Sequence, residues 1–188
     1  YRDTEFSPDG KWVYALSDQS GETEWWKLPA NGVGAAEQIS SGSKVLSMGG
    51  KISPDGKKIA YYNKDLELWV VDVTSKVSTK IATGKDDAIS DFSWSPDSKW
   101  LAYVLPTQTF SRVVLYSFDS GSSTPVTTDR ADSSSPAWSP DGKWIYFLSD
   151  RAFTTTVGSP WGARAPEPLF DRQSKIYALA LAKGAKFP

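Results

Sequence analysis

The sequence predicts an all-β fold: a β-propeller segment of four blades, each blade a four-stranded antiparallel sheet. Three observations predict it. A Ser-Pro-Asp-Gly tetrapeptide, once ending in Ser, recurs at Ser7, Ser53, Ser95 and Ser139, with offsets of 46, 42 and 44 residues. That is the period of a single blade, about 40 to 50 residues. Aromatic residues make up 13% of the chain, with nine Trp, beside 14 Gly and 12 Pro, the mixture of strand and turn formers expected of many short strands. No window carries a convincing helical period.

The copies agree beyond the tetrapeptide. An apolar residue precedes each (Phe6, Ile52, Trp94, Trp138) and Lys follows each (Lys11, Lys57, Lys99, Lys143). Trp12, Lys58, Trp100 and Trp144 come next, then the aliphatic Val13, Ile59, Leu101 and Ile145. The tetrapeptide has a physical job. Pro presets φ near −65°, Asp caps the turn, and Gly at the fourth position takes φ > 0, which closes a type I turn between antiparallel strands. Ser98 replaces that Gly in the third copy, so this hairpin is expected to be strained or differently closed.

Each repeat then reads as four strands. The innermost strand ends just before the turn: Asp3 to Phe6, Val45 to Ile52, Ile89 to Trp94 and Ser135 to Trp138. The second follows it: Trp12 to Leu16, Lys58 to Tyr62, Trp100 to Leu105 and Trp144 to Leu148. The third is Glu24 to Leu28, Leu66 to Val73, Arg112 to Phe118 and Lys175 to Leu181. The outermost, polar as an edge should be, is Glu37 to Ser40, Ser78 to Ala82 and Pro125 to Thr128. Residues 1–188 thus form one unit with blades at about 1–42, 43–85, 86–130 and 131–188. Most Trp and Tyr residues are expected to pack between blades.

Propellers have 4 to 8 blades, and after Leu181 little sequence is left to close a ring. A part of a six- or seven-bladed ring is therefore expected. Tyr1 stands where an initiator Met would, so the sequence reads as a piece of a longer or processed chain.

Composition narrows the chemistry. Lys and Arg number 21 against 22 Asp and Glu, so no net attraction to nucleic acid is expected. No apolar run approaches the roughly 20 residues of a membrane-spanning helix. The chain has no Cys and no His, which removes Ser-His-Asp and Cys-His catalysis and the commonest zinc sites from what it does alone. Asp86, Asp87, Asp129 and Asp132 do not match a calcium loop, and no metal or other cofactor is expected. Ser133, Ser134 and Ser135 have no general base partner in the sequence.

Consecutive strands alternate direction, so all four tetrapeptide turns fall on one face. The other face carries the variable loops. There the fourth blade stands apart, because the segment 151–174 separates its second and third strands and is too long for a simple connection. Two readings stay open. The segment packs over the propeller mouth or against a neighbouring domain, or it lines a substrate route. In the second case Arg151, Arg164 and Arg172 hold peptide carboxylates by bidentate contacts and Trp161 forms an apolar wall.

The repeated aromatic-Ser-Pro-Asp-Gly-Lys-Trp pattern resembles the propeller repeats of TolB and of tricorn-like serine peptidases, and covers essentially the whole chain. The stretch Tyr146 to Phe153, with Leu148-Ser149-Asp150-Arg151-Ala152-Phe153, followed by Ser159-Pro160-Trp161-Gly162, resembles the blade with a long excursion in tricorn-like peptidases of the tail-specific protease group. The resemblance implies a non-catalytic module that gates or channels peptides toward a peptidase domain and docks that domain and a PDZ domain. It carries no catalytic residue onto this chain. The alternatives are a TolB-like protein-binding scaffold and the gating propeller of a prolyl-oligopeptidase-type hydrolase. Exported bacterial relatives point to an exported or periplasmic setting by association alone.

Open faces on the first and last blades are expected to seek partners. Light scattering across a dilution series checks this: a dimer or larger assembly is the expected result, and a compact monomer at every concentration contradicts it.

Overall fold

The computed structural model describes residues 1–155, 170–172 and 174–187. Its strands form successive antiparallel sheets. The first holds β1 (Arg2–Phe6), β2 (Trp12–Ser17), β3 (Glu24–Pro29) and β4 (Glu37–Gln38), paired in chain order. The second holds β5 (Ser47–Ile52), β6 (Lys58–Asn63), β7 (Glu67–Asp72) and β8 (Ser78–Thr83), again in chain order. The third holds β9 (Phe92–Trp94), β10 (Trp100–Pro106), β11 (Ser111–Ser117) and β12 (Ser122–Pro125). The fourth begins with β13 (Ser133–Trp138) and β14 (Trp144–Ser149). A separate two-stranded hairpin, β15 (Phe153–Thr155) with β16 (Phe170–Arg172), follows, and β17 (Lys175–Ala180) then pairs with β14. Among the described residues the fourth sheet therefore has three strands. No described residue is helical. Four such sheets in series are the blades of a propeller segment.

The tetrapeptides make the turns that the sequence predicts. In the first copy Ser7 Oγ donates to Asp9 Oδ1 (2.6 Å) and accepts the Trp12 amide (3.0 Å), while the Gly10 amide reaches the Ser7 carbonyl (2.9 Å). The other three copies repeat these bonds within 0.1 Å. Ser98 does adopt the strained conformation, φ +60°. Its turn closes like the others, with the Ser98 amide 2.9 Å from the Ser95 carbonyl. The reason lies across the seam, where Ser98 Oγ accepts the Asp55 amide at 3.0 Å. This bond between blades offsets strain that a glycine would avoid.

One strand lies elsewhere than the sequence suggests. The outermost strand of the third blade is β12, Ser122–Pro125, and not Pro125 to Thr128. Past Pro125 the ladder breaks, because the Val126 and Thr127 amides both turn to the Val113 carbonyl and Thr127 Oγ1 takes the Val113 amide (2.9 Å). Ser40 ends the first blade's ladder in the same way, accepting the Trp25 amide at 2.8 Å. A hydroxyl side chain substitutes for a backbone acceptor in both.

The core lies in the seams. Tyr14, Leu16, Trp25, Ile39, Ile59, Tyr61 and Val71 fill the first seam. Leu68, Val70, Phe92, Trp94, Leu101 and Tyr103 lie in the second, and Ala102, Val113, Leu115, Ile145 and Phe147 in the third. The indoles expected between blades also bond across them. Trp94 Nε1 donates to the Lys51 carbonyl (2.9 Å), and Trp138 Nε1 donates to the Ser93 carbonyl (3.2 Å). Outer faces remain bare, with Phe6 66% and Ile176 74% exposed.

The first seam has Ile52 in place of the indole and relies on close approach. Trp25, fully buried, packs over Gly50, where a Cβ would stand 2.5 Å from Trp25 Cζ2 and 2.7 Å from the Ala60 carbonyl oxygen. Overpacking of this kind costs about 1 to 3 kcal/mol. Gly50→Ala is expected to lower stability by about that amount, read as a fall in the urea midpoint. An unchanged midpoint would show that the first seam is not packed through Gly50.

Candidate functional site

On the face opposite the turns, the third seam opens beside the root of the 151–174 segment. β14 ends at Ser149, and two residues later Arg151 folds back over the sheet. Its guanidinium carbon lies 5.1 Å from the Phe147 ring and 4.9 Å from the Tyr177 ring, which stack on each other at 5.9 Å. Nε donates to Ser149 Oγ (3.1 Å) and Nη2 to Ser133 Oγ (3.4 Å). Both serines are buried, so Ser133 acts as an anchor for this arginine. The cation–π contacts and two hydroxyls fix the guanidinium plane, and these bonds use two of its five N–H donors.

Arg151 lines a cleft of about 360 Å³ with Phe110, Thr128, Arg130, Asp132 and Asp150. Asp132 Oδ1 accepts the Ser111 amide at 2.9 Å, and Ser174 Oγ donates to Asp150. Asp132 thus ties the third blade to the fourth, and Asp150 ties the two ends of the 151–174 segment within the fourth. The arginines supply planar donors that suit a peptide carboxylate.

The four sequence candidates fare differently. Arg151 lies in the cleft. Arg172 closes the β15–β16 hairpin, its backbone paired with Phe153, which brings it near the chain leaving Arg151. Trp161 and Arg164 lie outside the described residues.

Sequence reasoning missed a second cleft, of about 250 Å³, on the same face at the first seam. Buried Glu24 accepts from Ser40 Oγ (2.5 Å) and the Ser43 amide (2.7 Å). Glu67 accepts from Asn63 Nδ2 (2.9 Å), Trp69 Nε1 (2.9 Å) and Lys80 Nζ (3.0 Å). Burial opposes ionisation of Glu67, but these three donors hold its carboxyl below the usual range. Tyr61 between them is pushed up by burial and by both carboxylates. The available signal was positional, since each Glu opens the third strand of its blade.

Comparison with known proteins places this architecture. A family model described as the tricorn protease second beta propeller domain matches residues 1–188. The chain belongs to that family. A tricorn protease homolog of Saccharolobus solfataricus is 30% identical over 156 residues, covering 83% of this chain and 14% of that protein. Tricorn protease homolog 1 of Streptomyces coelicolor is 27% identical over 188 residues, covering 96% of this chain and 16% of that protein. The tricorn-type chain therefore spans only 14% to 16% of the length of these relatives. A crystal structure of the tricorn protease superposes with a TM-score of 0.81 at 20% identity, over 95% of this chain and 18% of that one. A TolB protein of Agrobacterium tumefaciens gives 0.60 at 26% identity, over 79% and 53%. The tricorn propeller fold and its TolB-like kinship expected from the repeats are thus both present.

The tricorn-type turns set a pH dependence. Bonds from Ser7 and Ser95 and from the amides of Lys11 and Lys99 hold the Asp9 and Asp97 carboxyls below the usual range. At Asp55 burial opposes, and Ser53 and Lys57 prevail. A carboxyl with a depressed folded pKa stabilises above its unfolded pKa, about 3.9 for Asp, and loses that contribution as pH falls through the folded value. The melting temperature is expected to drop between about pH 4 and pH 2, less steeply in Asp55→Asn than in the parent. Equal slopes would place the acid sensitivity outside this turn.

Proposed function

We propose that this chain is a non-catalytic propeller module of a tricorn-like serine peptidase, gating or channelling oligopeptides and docking the neighbouring peptidase and PDZ domains. The observation that carries the reading is the family match along the whole chain. It is supported by the shape of the loop face. Arg151, held rigid by two rings and two buried hydroxyls, costs little further side-chain entropy when it takes a peptide carboxylate. Arg172 and the segment leading to it, with Trp161 and Arg164, are proposed to extend that contact. The bare outer faces, with Phe6 on one side and Ile176 and Leu148 on the other, are the surfaces through which further blades or a second copy pack.

A TolB-like scaffold is the second reading, favoured by the structural likeness at 26% identity. It differs in requiring no peptidase in the parent.

The test uses the full parent protein. A charge-assisted contact is worth about 1.5 to 3 kcal/mol, or roughly tenfold or more in rate. Arg151→Glu is expected to slow hydrolysis of a long oligopeptide by about tenfold while leaving a blocked dipeptide unchanged. Equal rates on both peptides would remove Arg151 from the peptide route. A parent with no peptide hydrolysis at all would favour the scaffold.

A further inference from the structure

The turn face carries a groove that the reading above does not use. Two of the three seams are closed there. At the first, Gly56 lies against Pro8, and a Cβ on it would come within 3.3 Å of Pro8 Cδ. At the second, the Asp55 amide bonds to Ser98 Oγ. At the third, the equivalent residue is Gly142, and nothing lies within 4 Å of where its Cβ would be.

The result is a groove of about 580 Å³ between the turns of the third and fourth blades. Trp100, Leu115, Trp138 and Leu181 floor it, and Pro96 and Pro140 form its walls. Trp100 and Leu181 are each 37% exposed, so apolar surface is available to a ligand. The Trp138 ring is fixed by its bond to the Ser93 carbonyl. Size, apolar floor and a few fixed polar groups are the attributes of small-ligand sites.

The lips carry two carboxylates, Asp97 and Asp141, and one ammonium, Lys143. Asp97 Oδ1 and Asp141 Oδ1 are occupied by Ser95 and Ser139 hydroxyls and by the Lys99 and Lys143 amides. Asp141 Oδ2 has Lys143 Nζ at 3.6 Å. Asp97 has no ion pair among the described residues, so its carboxylate is placed to accept a cation beside the tryptophan floor.

We propose that this groove binds a short, extended oligopeptide, seating an apolar side chain on Trp100 and a neighbouring lysine or arginine on Asp97. The proposal rests on the reading that the parent handles oligopeptides.

The test is a titration of the full chain, isotope-labelled at its tryptophan indoles, with the blocked tetrapeptides Pro-Leu-Arg-Pro and Pro-Leu-Glu-Pro. The Trp100 and Trp138 indole signals are expected to move with the Arg peptide. The Glu peptide is expected to bind about tenfold more weakly, the size of one charge-assisted contact. Asp97→Asn, which leaves the apolar floor intact, is expected to abolish that difference. Absence of any Trp100 shift, or equal affinity for both peptides, overturns the proposal. Neither result touches the hydrolysis assay with Arg151→Glu, which reads the opposite face.

Discussion

The rest of the structure depends on a buried serine hydroxyl at the start of each hairpin turn. Ser7, Ser53, Ser95 and Ser139 are all nearly inaccessible, between 0% and 7% exposed. An unsatisfied hydroxyl in such a place costs about 1 to 3 kcal/mol. Each is satisfied twice, by donating to the Asp two residues on and by accepting the amide five residues on. The bonds close a single register, and register decides which side chains face which neighbour. The residue six positions after each serine shows the result. Ile59, Leu101 and Ile145 are all 0% exposed in seams, whereas Val13 at the same position is half-buried, on the side where the first sheet has no neighbour.

Given that register, the seams are free to differ. The second and third use a tryptophan indole bonded to the preceding blade. The first uses shape, with Trp25 over Gly50 and Tyr61 6.2 Å from Trp25, and adds Arg2 donating to the Ser47 carbonyl and an ion pair of Lys76 with Glu37. The ion pair is exposed and contributes little, so the packing carries that seam.

The fold was legible because its determinants are local and repeated. The turn at Ser53 can be read from five consecutive residues, and its recurrence gives blade count and strand order. The end of β12 was not legible, since the competing bond, donated by the Val113 amide to Thr127 Oγ1, joins residues 14 apart in the chain. The role of Ser98 was half legible: its positive φ followed from sequence alignment of the repeats, but the Asp55 amide that compensates for it lies 43 residues away. The same limit applied to the sites. Arg151 could be singled out by its place before a long segment, yet its seat on Phe147 and Tyr177 depends on the pairing of β14 with β17. Glu24 and Glu67 share a cleft only because the first two blades pack side by side.

A repeat that fixes the fold so firmly leaves function to the positions it does not need. The fourth turn residue must accept φ > 0, and the turn closes whether Gly or Ser stands there. That indifference lets Ser98 reach across and shut the second seam, while Gly142 leaves the third seam open above Trp100 and Trp138. On the opposite face the same logic applies to Arg151, which lies two residues past the end of β14 and is not constrained by the ladder. One seam, between the third and fourth blades, is thus accessible from both faces, with Asp97, Asp141 and Lys143 at one mouth and Arg130 and Arg151 beside Asp132 and Asp150 at the other.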